Sequence, residues 1–425
     1  MSLKSRIKSV IGEKTISNVR ANIKYIKTWR PVNCRVSIYS DNVIDKVIIG
    51  KKGAHVFCGY FDIDPQNPNN ANEFLVHILP VGSQNGNDPI GIGIANIQTK
   101  EIKQLVTTKA WCWQMGARLR WSKQKGLLIF NSYDEANGYR CMGYDTINHT
   151  SIQIASDALY DISGDERFGL SINFERLQAL RPGYGYCCCN SNVDEQAPSD
   201  DGLYFVDLLK GEKRLLVSLK RLSELYPNPS AGYHYINHIS ISPDSENAIF
   251  FHIWTCKEMP GWKANLCNIN IATGEIKYLE KNDQVSHYDW KNNDEILITA
   301  VDKEMGVCNY RIYNIKTGNK KVLSSDHLCQ DGHPVFSMRF EGFYSDTYPD
   351  KYEIQKLFKC SKQTGYEQLA AFYSDPRMHG EKRCDLHPHY FKNSENVAVD
   401  STFSSRRRQV CVLSLSKNEG VYNGR

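Results

Sequence analysis

The sequence has no uninterrupted apolar run long enough to cross a bilayer, and its first residues lack the apolar block of a signal peptide. Those absences lead to the expectation of a cytosolic chain. There is no phosphate loop of the GxxxxGKS/T kind, no GxSxG elbow and no HExxH pair. Nucleotide hydrolysis, serine esterase and zincin chemistry therefore have no sequence support. The 14 cysteines include no CxxC pair, and many sit inside apolar runs such as "HVFCGYF" and "RQVCVLSLS". Buried free thiols of this kind are ordinary in a reducing compartment. The triplet Cys187, Cys188, Cys189 lacks metal-finger spacing. No Gly/Pro-rich linker or low-complexity tract divides the 425 residues.

A global excess of positive charge is also missing. The formal net charge is +5, and residues 1–30 carry eight Lys or Arg (Lys4, Arg6, Lys8, Lys14, Arg20, Lys24, Lys27, Arg30) against Glu13 alone. That segment holds 8 − 1 = +7, which leaves 5 − 7 = −2 for the remainder. A nucleic-acid binder is not expected. Within the segment, Leu3, Ile7, Val10 and then Val19, Ile23, Ile26 recur at helical spacing with cations between them, although Gly12 interrupts the pattern. Residues 1–41 are read as a basic amphipathic helical segment. It either packs on the body of the protein or lies, through residues 1–30, on an anionic membrane surface.

From about residue 42 the pattern alternates in short strand-like runs separated by polar turns, the all-β signature. Four segments align without gaps: "HISISPDSENAIFF" from His238, "HYDWKNNDEILITA" from His287, "HPVFSMRFEGFYSD" from His333 and "HPHYFKNSENVAVD" from His387. "RLRWSKQKGLLIFN" from Arg118 fits the same frame. Each is followed by two more strands joined at turns such as Thr-Gly in "LCNINIATGEIKYLE". Four-stranded units at this period are propeller blades. The expected fold is an all-β, seven-bladed propeller over residues 42–425. Its last blade is completed by "NVIDKVIIG", residues 42–50, which removes the open sheet edge.

In a propeller, equivalent positions of successive inner strands form a ring around the axis. His238, His287, His333 and His387 take that position in four consecutive blades, Arg118 takes it in the second, and His389 lies two residues beyond His387 on the same strand face. His333, His387 and His389 are the candidate metal ligands, since three imidazoles make an open site. A ring of histidines bonded only to water is the alternative. The loops at the same mouth carry Arg176, Arg181, Lys263 and Arg406 between aromatics that include Tyr184, Tyr186, Trp262 and Tyr348. Cations between aromatic platforms suit an acidic sugar polymer. Arg118, His238, Tyr184, Tyr186, Tyr348 and Arg406 are therefore the candidate substrate contacts.

Over residues 110–417 the chain resembles the oligogalacturonate lyase-like propellers, related to TolB and WD-type repeats, through "VSHYDW", "DGHPVF" and "RCDLHPHY". The resemblance implies a manganese-type ion held by one His and a Gln-x-x-His-x-His run, which map onto His333, His387 and His389. The Gln position falls on Cys384, a departure that would favour zinc over manganese. The resemblance also makes His287 the base of a β-elimination on a uronate, with Arg176 or Arg181 neutralising the carboxylate. A second expectation is a non-catalytic cytosolic propeller, acting as a scaffold or glycan-binding platform in surface-polysaccharide biosynthesis and peripheral to the inner membrane. The start of the chain is similar to the openings of such assembly enzymes.

Overall fold

The computed structural model describes residues 12–416 apart from 87, 190–192, 226–231, 256–261, 282–283, 303–305, 324 and 339. Seven antiparallel sheets make up a seven-bladed propeller; five have their strands in sequence order, and the last two each take an outer strand from the N-terminal part of the chain. Blade one runs from Ala54–Phe57 to Ile102–Thr108, blade two from Arg120–Trp121 to Thr150–Ala155, and blade three from Asp161–Ile162 to Glu212–Ser218. Blade four runs from His234–Ile241 to Ile276–Glu280, and blade five from Val285–Trp290 to Lys320–Leu323. The Thr-Gly turns of blades four and five place Gly274 and Gly318 at φ +74°. A Cβ at Gly318 would meet nothing within 4 Å, so the backbone conformation alone calls for glycine there.

Blade seven joins the two ends of the ring. Val43–Ile49 pairs with Gln409–Leu415, from Val43 opposite Leu415 to Ile49 opposite Val410. Val410 and Val412 then pack against Val56, Phe74 and Val76 of blade one, a dry seam between the first and last units. Blade six has a fifth strand, Val36–Ile38, on the outer side of Gly365–Tyr373. The stretch expected to be helical up to residue 41 is thus helical over Glu13–Thr28 (α1), makes a 3-10 turn at Val32–Cys34 and then becomes strand. Residues 1–11, with Leu3, Ile7 and Val10, lie outside the described residues.

The helix α1 lies against blade six. Tyr25 stacks under the Arg377 guanidinium at 3.5 Å, Lys24 pairs with Glu353, and the hydroxyls of Thr28 and Tyr373 are 3.2 Å apart. Among the described residues, no helix is long and apolar enough to cross a membrane.

One departure from the blade pattern shapes the centre. In blade one the inner strand leaves its neighbour after Phe57 and pairs with it again only at Gln66, opposite Phe74. Residues 58–63 step into the axial channel. Tyr60 and Phe61 are buried there among the histidine rings of four blades. Two anchors hold this excursion: Asp400 accepts from the Cys58 N–H at 2.9 Å, and Arg118 grips Asp62 with two bonds at 2.7 and 3.0 Å.

Candidate metal centre and adjoining pocket

The repeat puts the histidines near one height, and local backbone irregularities aim them. His333 and His387 each stand two residues before their inner strands, Val335–Phe336 and His389–Phe391. His238 and His287 sit at register shifts inside theirs, and a bulge of this kind re-aims a side chain. Arg118, His238 and His387 have φ of +54°, +52° and +44°, a conformation that non-glycine residues hold only when the surrounding packing demands it. The result is an arc of rings. Centroids lie 5.8 Å apart for His238–His287, 4.0 Å for His287–His333 and 4.5 Å for His333–His387.

Each ring is fixed through Nδ1. His333 Nδ1 faces Asp346 at 2.9 Å, His387 Nδ1 faces the Gly59 carbonyl at 3.1 Å, and His389 Nδ1 faces the Ile63 carbonyl at 3.0 Å. These partners only accept, so Nδ1 carries the proton and Nε2 presents its lone pair. All three Nε2 atoms are buried without a hydrogen-bond partner among the described residues. Burial holds the His387 ring well below the usual imidazole range and His389 at about 4, so both are neutral. Burial also disfavours charge on His333, but Asp346 outweighs it and raises that ring.

Unpartnered buried lone pairs are costly. Imidazoles oriented through Nδ1 by an outer acceptor are what metal sites use. The ligand atoms of His333, Asp385 and His387 lie within 4.8 Å of one another, with Asp385 Oδ2 4.0 Å from His387 Nε2. This donor set fits a divalent cation. Nitrogen with carboxylate oxygen suits manganese or zinc.

Beside this group a cavity of about 330 Å³ opens between blades four and five, with His238 and His287 on its floor. His287 Nδ1 faces Asp331 Oδ1 at 3.2 Å and Ser286 Oγ at 2.9 Å, while Ser286 and Thr299 donate to the same carboxylate. Burial, then His333, lower His287 against the pull of Asp331. Burial by itself would raise Asp331, but His287 and the bonds from His287 and Ser286 hold it far below the carboxylate range. His287 is thus neutral, with Nδ1–H held and Nε2 left as a base. On the opposite wall the Arg181 guanidinium lies 4.6 Å from the Trp262 ring and 5.5 Å from Tyr184, with Tyr348 nearby.

No protein-family profile matches the chain, and no curated protein matches it. Among solved structures, oligogalacturonate lyase in complex with manganese aligns over 90% of this chain and 97% of its own, at 11% identity and a TM-score of 0.59. This chain has the fold of oligogalacturonate lyase. TolB from Acinetobacter baumannii (12% identity, 79% of this chain and 65% of that one, TM-score 0.39) and the tricorn protease (8% identity, 86% and 34%, TM-score 0.49) align more loosely.

On this seven-bladed propeller the expected residues separate into two sets. His238, His287, Arg181, Tyr184 and Tyr348 line the cavity, and His333 and His387 stand in the ligand group behind it. His389 falls outside the tight group of three, although its Nε2 is equally bare. Cys384 is a correction. Among the described residues its Sγ reaches only the Asp385 carbonyl, burial pushes its thiol far up, and Asp385, the next residue, turns to the histidines instead. Arg176 is another. Its guanidinium bonds the carbonyls of His234, Glu195 and Gln196 and ties blade three to blade four. Arg118 is consumed by Asp62, and Tyr186 is sealed on Phe174 at 4.3 Å with its hydroxyl accepting from Asn131. Arg406 is exposed and is not part of the cavity wall.

Sequence reasoning missed Asp331, Asp346, Asp385 and the excursion 58–63. Two of the acids were in plain view, in "DGHP" and "RCDLHPH". Tyr60 had no signal. Its ring centroid lies 4.8 to 6.3 Å from those of His387, His238, His333 and His287, and its buried hydroxyl has no partner among the described residues.

Proposed function

We propose that this protein is a metal-dependent lyase that cleaves an acidic, uronate-containing glycan by β-elimination. The observation that carries the reading is the set of three buried, unpartnered Nε2 atoms beside a neutral, carboxylate-oriented His287. The likeness in fold to an oligogalacturonate lyase solved in complex with manganese supports the same reading.

His333, His387 and Asp385 would hold the ion, with His389 next to them. A divalent ion there supplies Lewis-acid stabilisation of the charge that develops on a uronate carboxylate. The chain's own residues do the rest. Arg181 pairs with the carboxylate, and the Trp262 and Tyr184 faces that hold it also offer a platform for a sugar ring. His287 Nε2 takes the C5 proton. Asp331 keeps the Nδ1 proton in place and stabilises the imidazolium that forms, which is how an acid partner serves a histidine base. The electron pair of the C5–H bond becomes the C4–C5 double bond, and the C4–O bond breaks with its electron pair on the oxygen of the sugar linked at C4. That oxygen takes up a proton, the one His287 removed or one from water, and leaves as a hydroxyl.

The test is elemental analysis of the purified protein, followed by the ultraviolet absorbance of unsaturated uronate from a panel of uronans with manganese or zinc added. Metal should co-purify or titrate in with one ion per chain, and His387→Ala should abolish both binding and absorbance. A wild-type protein that neither binds manganese or zinc nor produces unsaturated product would refute the reading.

A further inference from the structure

The apolar stripe of α1 faces away from the propeller. Ala21 is the buried residue of the helix, and Tyr25, Lys24 and Thr28 make its contacts with blade six. Val19, Ile23 and Ile26, at helical spacing, are 52%, 48% and 75% exposed, and Trp29 at the end of the helix is 57% exposed. This reverses the usual arrangement, in which the apolar side of a surface helix packs on the core. Lys14, Arg20 and Lys27 stand exposed on the same helix, whose sequence has one acid, Glu13.

The place of the helix matters as much as its face. The groove beneath α1 is lined by Ser17, Arg20 and Lys24 on one side and by Tyr348 and Asp385 on the other. Tyr348 also lines the His287 cavity, and Asp385 belongs to the metal-ligand group. The helix therefore lies along the rim of the mouth that holds the site.

We propose that α1 docks the protein on an anionic lipid surface, with Val19, Ile23, Ile26 and Trp29 entering the interface and the flanking cations meeting the headgroups. An apolar face bordered by Lys and Arg is the chemistry that binds such a surface. A second copy of the chain is the poorer occupant. A two-fold contact through this face would bring the same cations together. Docking on α1 brings the mouth of the cavity to the bilayer.

The experiment is flotation of the full chain with phosphatidylcholine vesicles and with vesicles that also contain phosphatidylglycerol, at low and high salt, alongside the double variant I23E/I26E. Both positions are exposed, so circular dichroism and the melting temperature of the variant should match wild type. Wild type should float with the anionic vesicles at low salt and lose binding in neutral vesicles or at high salt. The double variant should lose about a hundredfold in partitioning, from two isoleucines no longer buried. Equal flotation of wild type and variant, or flotation that ignores lipid charge, would overturn the proposal. So would a wild-type dimer in light scattering that the variant converts to monomer, since the stripe would then be a contact between copies.

Discussion

Asp62→Asn is the most informative single change, because it acts on a charge at the channel axis without touching any histidine. The Arg118 side chain is 2% exposed and makes two bonds to Asp62, whose own side chain is 16% exposed; its third bond goes to the Tyr160 carbonyl. Removing one partner of a buried pair leaves the other charge uncompensated, at a cost of roughly 3–5 kcal/mol. The partial exposure of Asp62 puts this case near the lower end, at about 3 kcal/mol. Replacing both residues, as in Asp62→Leu with Arg118→Met, removes the stranded charge and should cost far less than the sum of the single changes. The assay is urea unfolding followed by the fluorescence of the seven tryptophans, for the two single variants and the double. The excursion that Asp62 anchors also supplies the Gly59 and Ile63 carbonyls that orient His387 and His389. Asp62→Asn should therefore weaken manganese or zinc binding by about tenfold, the low end of what outer-shell changes do. A coupling energy near zero in the cycle, or an Asp62→Asn protein as stable as wild type, would show that the ion pair does not hold the excursion.

Asp331→Asn should leave metal affinity within about threefold and lower turnover by about 10²- to 10⁴-fold, because an amide can hold the imidazole in the wrong tautomer; steady-state kinetics with a metal titration checks both. Tyr60→Phe removes a buried hydroxyl that bonds nothing among the described residues, so the metal-free protein should gain about 1 kcal/mol, read from the urea midpoint. Asp400 is raised to about 7 by burial, against the N–H groups of Cys58 and Gly59 and the Arg408 charge. Its folded value lies above its unfolded value near 4, so the folded chain alone keeps the proton between those limits. Stability should fall as pH rises from about 4 to about 7 and then level off, and Asp400→Asn should flatten that slope in melts across the range.

The blades were readable from the sequence because the repeat writes the same residue type at the same register. A histidine opening each of four units located their inner strands, and "NVIDKVIIG" announced a strand without a neighbour that pairs with Gln409–Leu415. What could not be read depends on single-residue geometry. Cys384 and Asp385 are adjacent, and neighbouring residues of an extended chain point to opposite sides. Spacing points to the segment, and in the structure Asp385 rather than Cys384 turns toward His333 and His387. "HVFCGYF" reads as one continuous strand, yet only its first part pairs with the neighbouring strand before the chain turns into the channel. Arg176, on the helix Phe174–Leu180, and Tyr186 lie close in sequence to Arg181 and Tyr184, and Tyr184 is buried like both structural residues; only the direction each side chain takes puts Arg181 and Tyr184 on the cavity wall.

The seam in blade seven also sets an order of assembly. His387 and His389 lie at the inner strand of blade seven, which Val43–Ile49 completes, and their Nδ1 acceptors come from blade one. His333 belongs to blade six, which needs Val36–Ile38 for its outermost strand. The His387 and His389 rings are consequently oriented only once their segment has met residues 59–63. A nascent or truncated chain can complete five blades and still have nowhere to place an ion. With the metal binding proposed above, uptake would report on ring closure, and a captured ion would in turn fasten the closed ring.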